Sequence, residues 1–328
     1  MNWADRVTNL QFDLSSHCNA RCFMCIRNQD GGDKIPDLPL DHFDIDIWNR
    51  IAEYDTRGWT IHDLTLNGNW GDPIMHKDLN RMMLTWAKFH PETGLYLHTN
   101  GSLRSTNWWA DFAYTCRQFS DHRVIIAVDG LADTHAIYRQ DTDFHKIKEN
   151  VIAFTEAGGV AEIVTTMFEH NKHQIDDIVA EVETWGTRCF QMRHSHNEEI
   201  GPIKAYRGRP EFRKNFRSFN RSDLRNADEY NKMRPDYWDD VDNKLTHCPW
   251  YNLASVQIDP WGNVWPCCHI SLLRMHKYDK ETEDLNLKDN NLHDVLDGHW
   301  YSEVLKDGIN GTNDTPRWEI CDRKCGTI

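Results

Sequence analysis

The chain has 328 residues, 51 of them acidic and 37 basic, for a formal net charge of −14. That balance argues against a nucleic-acid backbone as the main partner, because such a protein needs a basic face. No run approaches the ~18–20 apolar residues of a membrane span, and the N-terminus, MNWADRVTNLQFD, lacks the apolar stretch of a signal peptide. Ten cysteines in a chain without an export signal therefore point to metal ligation in a reducing, cytoplasmic setting rather than to disulfides.

In chain order, an apolar strand over Leu10–Leu14 runs into Cys18-Asn-Ala-Arg-Cys22-Phe-Met-Cys25, three thiols on one short loop. A Gly/Pro-rich connection, 30–40, follows, and then Phe43, Ile47, Ile51 and Tyr54 at helical spacing. A second strand over 61–66 ends in Asn67-Gly-Asn-Trp-Gly-Asp-Pro73. A helix carrying Leu79, Met83, Trp86 and Phe89 leads to a third strand, 95–98, ending in Thr99-Asn100-Gly101. The helical face of Trp109, Phe112, Cys116 and Phe119 precedes a fourth strand, 124–128, ending in Asp129-Gly130. Helices around Ile147–Phe154 and Ile175–Trp185 flank a fifth strand, 161–167, and a sixth runs over 188–193. Six strands alternating with helices imply βαβ units and a parallel sheet. Each motif falls at the C-terminal end of a strand, where such sheets and barrels build their sites.

The rhythm stops at 201–247, which is charged and weakly periodic. It reads as a surface linker or as a substrate-covering segment. Beyond it, Leu253–Ile258 and Asn263–Trp265 flank the turn-rich Asp259-Pro-Trp-Gly262, a hairpin signal. Cys267 and Cys268 follow at once, Val295, Trp300 and Val304 suggest a helix, and Cys321 and Cys325 stand near the end. Cys116 and Cys189 fall inside predicted elements and read as buried apolar residues. His170, His173, His194 and His196 read as polar element ends rather than as metal ligands. Arg193 and His194 end the sixth strand and point towards the barrel mouth.

The loop Cys18–Cys25, just after an N-terminal strand, resembles that of the radical S-adenosylmethionine (SAM) enzymes. Three thiolates suit an iron–sulfur cube and leave one iron without a protein ligand. The resemblance implies a [4Fe–4S] cluster on Cys18, Cys22 and Cys25, whose open iron chelates SAM. It implies reductive cleavage of SAM to a 5′-deoxyadenosyl radical that abstracts a substrate hydrogen. It also implies a partial (β/α)6 TIM-type barrel over 1–200. The family's Gly-Gly-Glu-Pro-like turn is replaced here by Gly-Asn-Trp-Gly-Asp-Pro, in which Asn69 and Asp72 would meet the SAM ammonium. Thr99-Asn100-Gly101 and Asp129-Gly130 resemble family turns and place Asn100 and Asp129 near ribose or carboxylate. Met24 stands where an aromatic residue near adenine is usual. The bland readings of these residues are turn formation and helix capping.

The stretch Cys248–Cys268 with the terminal cysteines resembles the SPASM/twitch domains appended to such barrels, here over 248–328. With five cysteines from Cys248 onward, one auxiliary [4Fe–4S] cluster on Cys248, Cys267, Cys321 and Cys325 is the better fit, with Cys268 a spare thiol. The three-residue spacing of the terminal pair departs from the common two. A structural zinc site is the alternative. The function implied is a radical SAM oxidoreductase acting on a peptide, a protein side chain or a small molecule, with an external electron donor such as flavodoxin or ferredoxin. The few residues before Leu10 argue mildly against a self-sufficient peptide maturase. From another class, an iron–sulfur electron-transfer or structural protein that never cleaves SAM is the alternative.

Overall fold

The structure is a computed structural model, and it describes residues 3–29, 33–168, 170–194, 248–274, 284–312, 316 and 318–321. The segment 201–247, Cys325 and His196 lie outside them, as do the side chains of Arg193 and His194.

Among the described residues the six expected strands are present and parallel, with helices between them. They are β1 (Asn9–Phe12), β4 (Asp63–Leu66), β5 (Gly94–Thr99), β6 (Asp121–Ala127), β7 (Ala161–Met167) and β8 (Cys189–His194). A small antiparallel pair, β2 (Asn28–Gln29) and β3 (Asp33–Lys34), follows the cysteine loop, where sequence suggested only a connection. With β9 (Ser255–Ile258) and β10 (Val264–Trp265), the sheet order is β10-β9-β1-β4-β5-β6-β7-β8, an open array. The expected hairpin is β9 and β10. It does not stand apart: β9 pairs in parallel with β1, Leu10 opposite Val256 and Phe12 opposite Ile258. The C-terminal cysteine segment thus continues the barrel's own sheet.

Alternation along the strands explains the layering. Leu10, Phe12, Leu64, Leu66, Leu95, Leu97, Val124 and Ile126 are fully buried and join the helices in one core. The helices start where side chains can take up free N–H groups. Asp44 caps α1 (Ile45–Arg50), Ser105 caps α3 (Thr106–Cys116) and Asp143 caps α5 (Phe144–Glu156). The helix α2 (Leu79–Phe89) buries Leu79, Met82, Met83 and Trp86. Tyr54, placed by spacing on the buried face after α1, is instead 59% exposed, because the helix widens to a π-turn over Ile51–Asp55. Cys116 is buried as expected. Cys189 is only half-buried at the start of β8, and burial together with Glu162 raises its thiol to about 11. The helix expected around Val295–Val304 is broken at Gly298 into Leu292–Asp297 and a π-turn, Trp300–Val304.

Phe12 sits at the centre of the packing between β1 and the first helices. Its ring lies 4.9 Å from Trp48, 5.4 Å from Phe43 and 6.4 Å from Trp86. Phe12→Ala should lower the unfolding free energy by about 3–5 kcal/mol, the range for a fully buried aromatic. Urea denaturation measures it; a loss below about 1 kcal/mol would mean that the neighbours collapse into the space.

Candidate active site

The cysteine loop leaves the end of β1 and meets the ends of β4, β5 and β6. Cys18, Cys22 and Cys25 all line one cavity of about 660 Å³. Among the described residues no three His, Cys, Asp or Glu side chains gather around a single ion-sized point. The three thiols instead flank a shared space. Burial pushes all three thiols above the ordinary range, Cys22 to about 12, and the Arg139 guanidinium opposes that at Cys22. Thiols so placed need a cationic partner to ionise, which is what an iron cluster supplies.

Two N–H groups already point at sulfur. Asn100 Nδ2 lies 3.8 Å from Cys18 Sγ and Arg139 Nη1 lies 3.7 Å from Cys22 Sγ. Arg139 is held by an ion pair with the fully buried Asp129. Asp129 also accepts from the Thr166 amide. Asn100 Nδ2 donates to Asn19 Oδ1 at 2.9 Å, inside the cysteine loop, and its carbonyl accepts from Ser102. Arg27, two residues after Cys25, is buried and donates to the carbonyls of Ser16 and Trp70 at 2.9 Å. It bolts the loop to the Asn67–Pro73 turn.

That turn is packed closely. A Cβ at Gly71 would collide with the carbonyl oxygens of Ser15 and His17, so only glycine fits the approach. Asp72 and Asn69 both line the cavity, but their polar groups have protein partners. The Asp72 carboxylate is buried and accepts from Ile74 N, Thr99 Oγ1, Asn100 N and Asn100 Nδ2 at 2.7–3.1 Å. Its first task is to hold the β4 and β5 turns together. Asn69 donates through its backbone and side chain to Asp13, at 2.9 and 3.1 Å. Met24 is half-buried and packs with a small cluster of Ala20, Phe23, Tyr138 and Phe168.

The rest of the cavity is polar. Asn9, Gln11, Thr65, Tyr96, Arg123 and Glu162 face inward from successive strands, where a closed barrel commonly fills its interior with branched apolar side chains. Arg123 pairs with Glu162 at 3.7 Å and with Asp121 at 3.2 Å, and Tyr96 donates to Asp121 at 3.3 Å.

The second cysteine group is buried in the main core. Cys248, Cys267 and Cys321 belong to that core, and Cys248 and Cys268 both lie close enough to Cys267 to help raise its thiol, after burial. Cys268 is half-buried and lines the large cavity. Tyr301 is buried near Cys267, and its hydroxyl has no hydrogen-bond partner among the described residues. An inorganic sulfide or thiolate beside Cys267 would satisfy that orphaned group.

Sequence reading did not find Arg27, Arg139, Asp13 or Gln257. Only Arg27 stood close enough to the cysteines to have drawn notice.

No known sequence family's profile matches the chain. By shape it is similar to Streptococcus suis SuiB bound to precursor peptide SuiA, with TM-score 0.61 and 14% identity over 91% of this chain and 66% of that one. The chain thus spans just under two thirds of that SuiB chain. It is also similar to anSMEcpe with bound AdoMet (SAM), with TM-score 0.59 and 14% identity over 90% of this chain and 82% of that one. A further likeness is to SuiB bound to S-adenosylmethionine, with TM-score 0.60 and 15% identity over 93% of this chain and 68% of that one. The chain therefore shares the fold of these structures, a partial TIM-type barrel, with its sheet open.

If Asp72 organises the turns, its removal should be felt before any ligand binds. Asp72→Ala orphans several buried donors and should lower the unfolding free energy by at least about 2 kcal/mol in SAM-free protein. Urea denaturation without SAM checks this, and an unchanged midpoint would assign Asp72 to ligand pairing alone.

Proposed function

We propose that the chain is a radical SAM enzyme that holds a [4Fe–4S] cluster on Cys18, Cys22 and Cys25 and SAM in the cavity beside it. One observation carries this reading: three cysteines converge on a polar cavity, with N–H groups of Asn100 and Arg139 set at two of the sulfurs. When bound, the cluster supplies the electron that splits the SAM sulfonium, giving a 5′-deoxyadenosyl radical that takes a hydrogen atom from the substrate.

The chain's own residues bind, orient and shield. The Asn67–Pro73 turn presents Asn69 and its backbone carbonyls to the SAM ammonium, and Asp72 locks that turn to β5. Asn100 supports Cys18. Asp129 fixes Arg139, whose charge stabilises the Cys22 thiolate. Met24, packed beside Tyr138 and Phe168, borders the adenine.

Cys248, Cys267, Cys321 and Cys325 would hold one auxiliary [4Fe–4S] cluster, which would supply an electron acceptor for the substrate radical or a binding point for the substrate. The barrel over 1–200 and the cysteine domain over 248–328 are joined by 201–247, a linker or a substrate cover. The reaction is of the oxidoreductase type. A peptide substrate is favoured by two similar structures, SuiB bound to a precursor peptide and anSMEcpe with bound AdoMet and a peptide. The polar cavity would equally suit a hydroxylated or amine-bearing small molecule. The electron comes from an external donor of the flavodoxin or ferredoxin kind. The protein works in the cytoplasm, a reducing compartment that suits a cysteine-rich chain of this kind. No helix among the described residues is long and apolar enough to cross a membrane.

Anaerobic protein reconstituted with iron and sulfide, then given SAM and dithionite, should release 5′-deoxyadenosine. The variant with Cys18, Cys22 and Cys25 all changed to Ala should release none while keeping the C-terminal iron. Wild-type protein that leaves SAM intact sinks the proposal.

Iron counting separates the two adjacent thiols. In that triple-Ala background, Cys267→Ala should lose the remaining iron and Cys268→Ala should keep it, because Cys267 lies buried beside Cys248. Iron lost only from the Cys268 variant would shift the ligand set by one residue.

A further inference from the structure

We propose that the C-terminal hairpin holds the SAM-facing turn in position, with Gln257 and Asp13 as the positioning residues that join them. The link to SAM rests on the proposed function; the link between hairpin and turn does not.

Gln257, on β9, is fully buried. Its Nε2 donates to Asp13 Oδ2 at 2.7 Å, and its Oε1 accepts from Asn67 Nδ2 at 3.1 Å. Asn67 opens the turn, and its side chain also donates to Gln11 Oε1 at 2.8 Å. Asp13, fully buried at the end of β1, takes the Asn69 backbone N–H on one oxygen and the Asn69 side-chain amide on the other. One side-chain amide therefore grips the start of the turn directly and its middle through Asp13. A second contact runs the same way. Trp70 of the turn packs 5.7 Å from Trp261 of the hairpin, and Trp70 Nε1 lies 3.5 Å from Ser271 Oγ. The joined residues are 244 positions apart in sequence.

The chemistry of the joint is specific. Glutamine offers a donor and an acceptor at the same reach, and the site uses both. Glutamate would set a second carboxylate against Asp13 and remove the donor. Leucine would leave Asp13 and Asn67 each short of a partner, in a region where unmade bonds are costly. Because β10 leads within two residues to Cys267, whatever shifts the hairpin at its cysteine end also shifts the turn.

Hydrogen exchange on the 67–73 amides, with SAM affinity by equilibrium dialysis on the reconstituted holoenzyme, tests the joint. Gln257→Glu should speed exchange of the turn at least about tenfold and weaken SAM binding by a similar factor, leaving β5 and β6 unchanged. Adding Asp13→Asn should bring both readouts back to within about threefold, since the new amide donates to the introduced carboxylate and, with the Asn69 side-chain amide turned over, to Asn69 Oδ1, while it still accepts from Asn69 N. Gln257→Leu gives the same loosening if the Glu variant does not fold. Unaltered exchange in both single variants overturns the proposal, as does loosening that Asp13→Asn fails to reverse. If the turn loosens and recovers as expected while the wild type binds no SAM, the radical SAM reading falls and the joint stands.

Discussion

Three thiols drawn to the rim of one barrel cavity set the terms for everything around them. Buried thiols resist ionisation, so a site that needs thiolates must bring positive charge and N–H groups to them. Arg139 and Asn100 do this directly. Each is in turn fixed by a buried carboxylate, Arg139 by Asp129 and Asn100 by Asp72. The two carboxylates lie in the connections that follow β4 and β6, so the sheet places the groups that meet the cysteines. An uncompensated buried carboxylate would be costly; here each one is met by several donors. Arg27 completes the set by tying the loop to the neighbouring turn through two carbonyls.

The same sheet also unites the two cysteine groups. Parallel pairing of β9 with β1 puts the hairpin that leads to Cys267 beside the strand that leads to Cys18. The hairpin is shaped by Asp259, whose carboxylate takes N–H groups from Trp261, Asn263 and Trp265. A rigid turn there aims the chain at Cys267 and, one residue on, brings Cys268 to the cavity wall. Both groups therefore belong to one hydrogen-bonded framework.

Much of this was legible in sequence because it is local. The cysteine spacing, the Asn67–Pro73 turn, Thr99-Asn100-Gly101 and the Asp259–Gly262 hairpin are signals a few residues long, and strand alternation shows the barrel. The partners were not legible. Arg139 reaches Cys22 across 117 residues, and Gln257 reaches Asp13 across 244. Neither carries a local mark, since an arginine after a short helix and a glutamine in a strand are ordinary. Asp72 and Asn69 were picked out as polar residues of a turn. Only the fold shows that their polar groups first hold the protein to itself. The addition of β9 to the barrel sheet was hidden for the same reason, because strand order depends on pairing that composition does not encode.

The central claim is that Cys18, Cys22 and Cys25 hold a cluster with one iron open to SAM. Electron paramagnetic resonance on the dithionite-reduced protein, in a variant lacking Cys248, Cys267, Cys321 and Cys325, tests it most directly. The account predicts a single [4Fe–4S]⁺ signal whose shape changes when SAM is added. A signal indifferent to SAM, or protein that takes up zinc and gives no such signal, would contradict it.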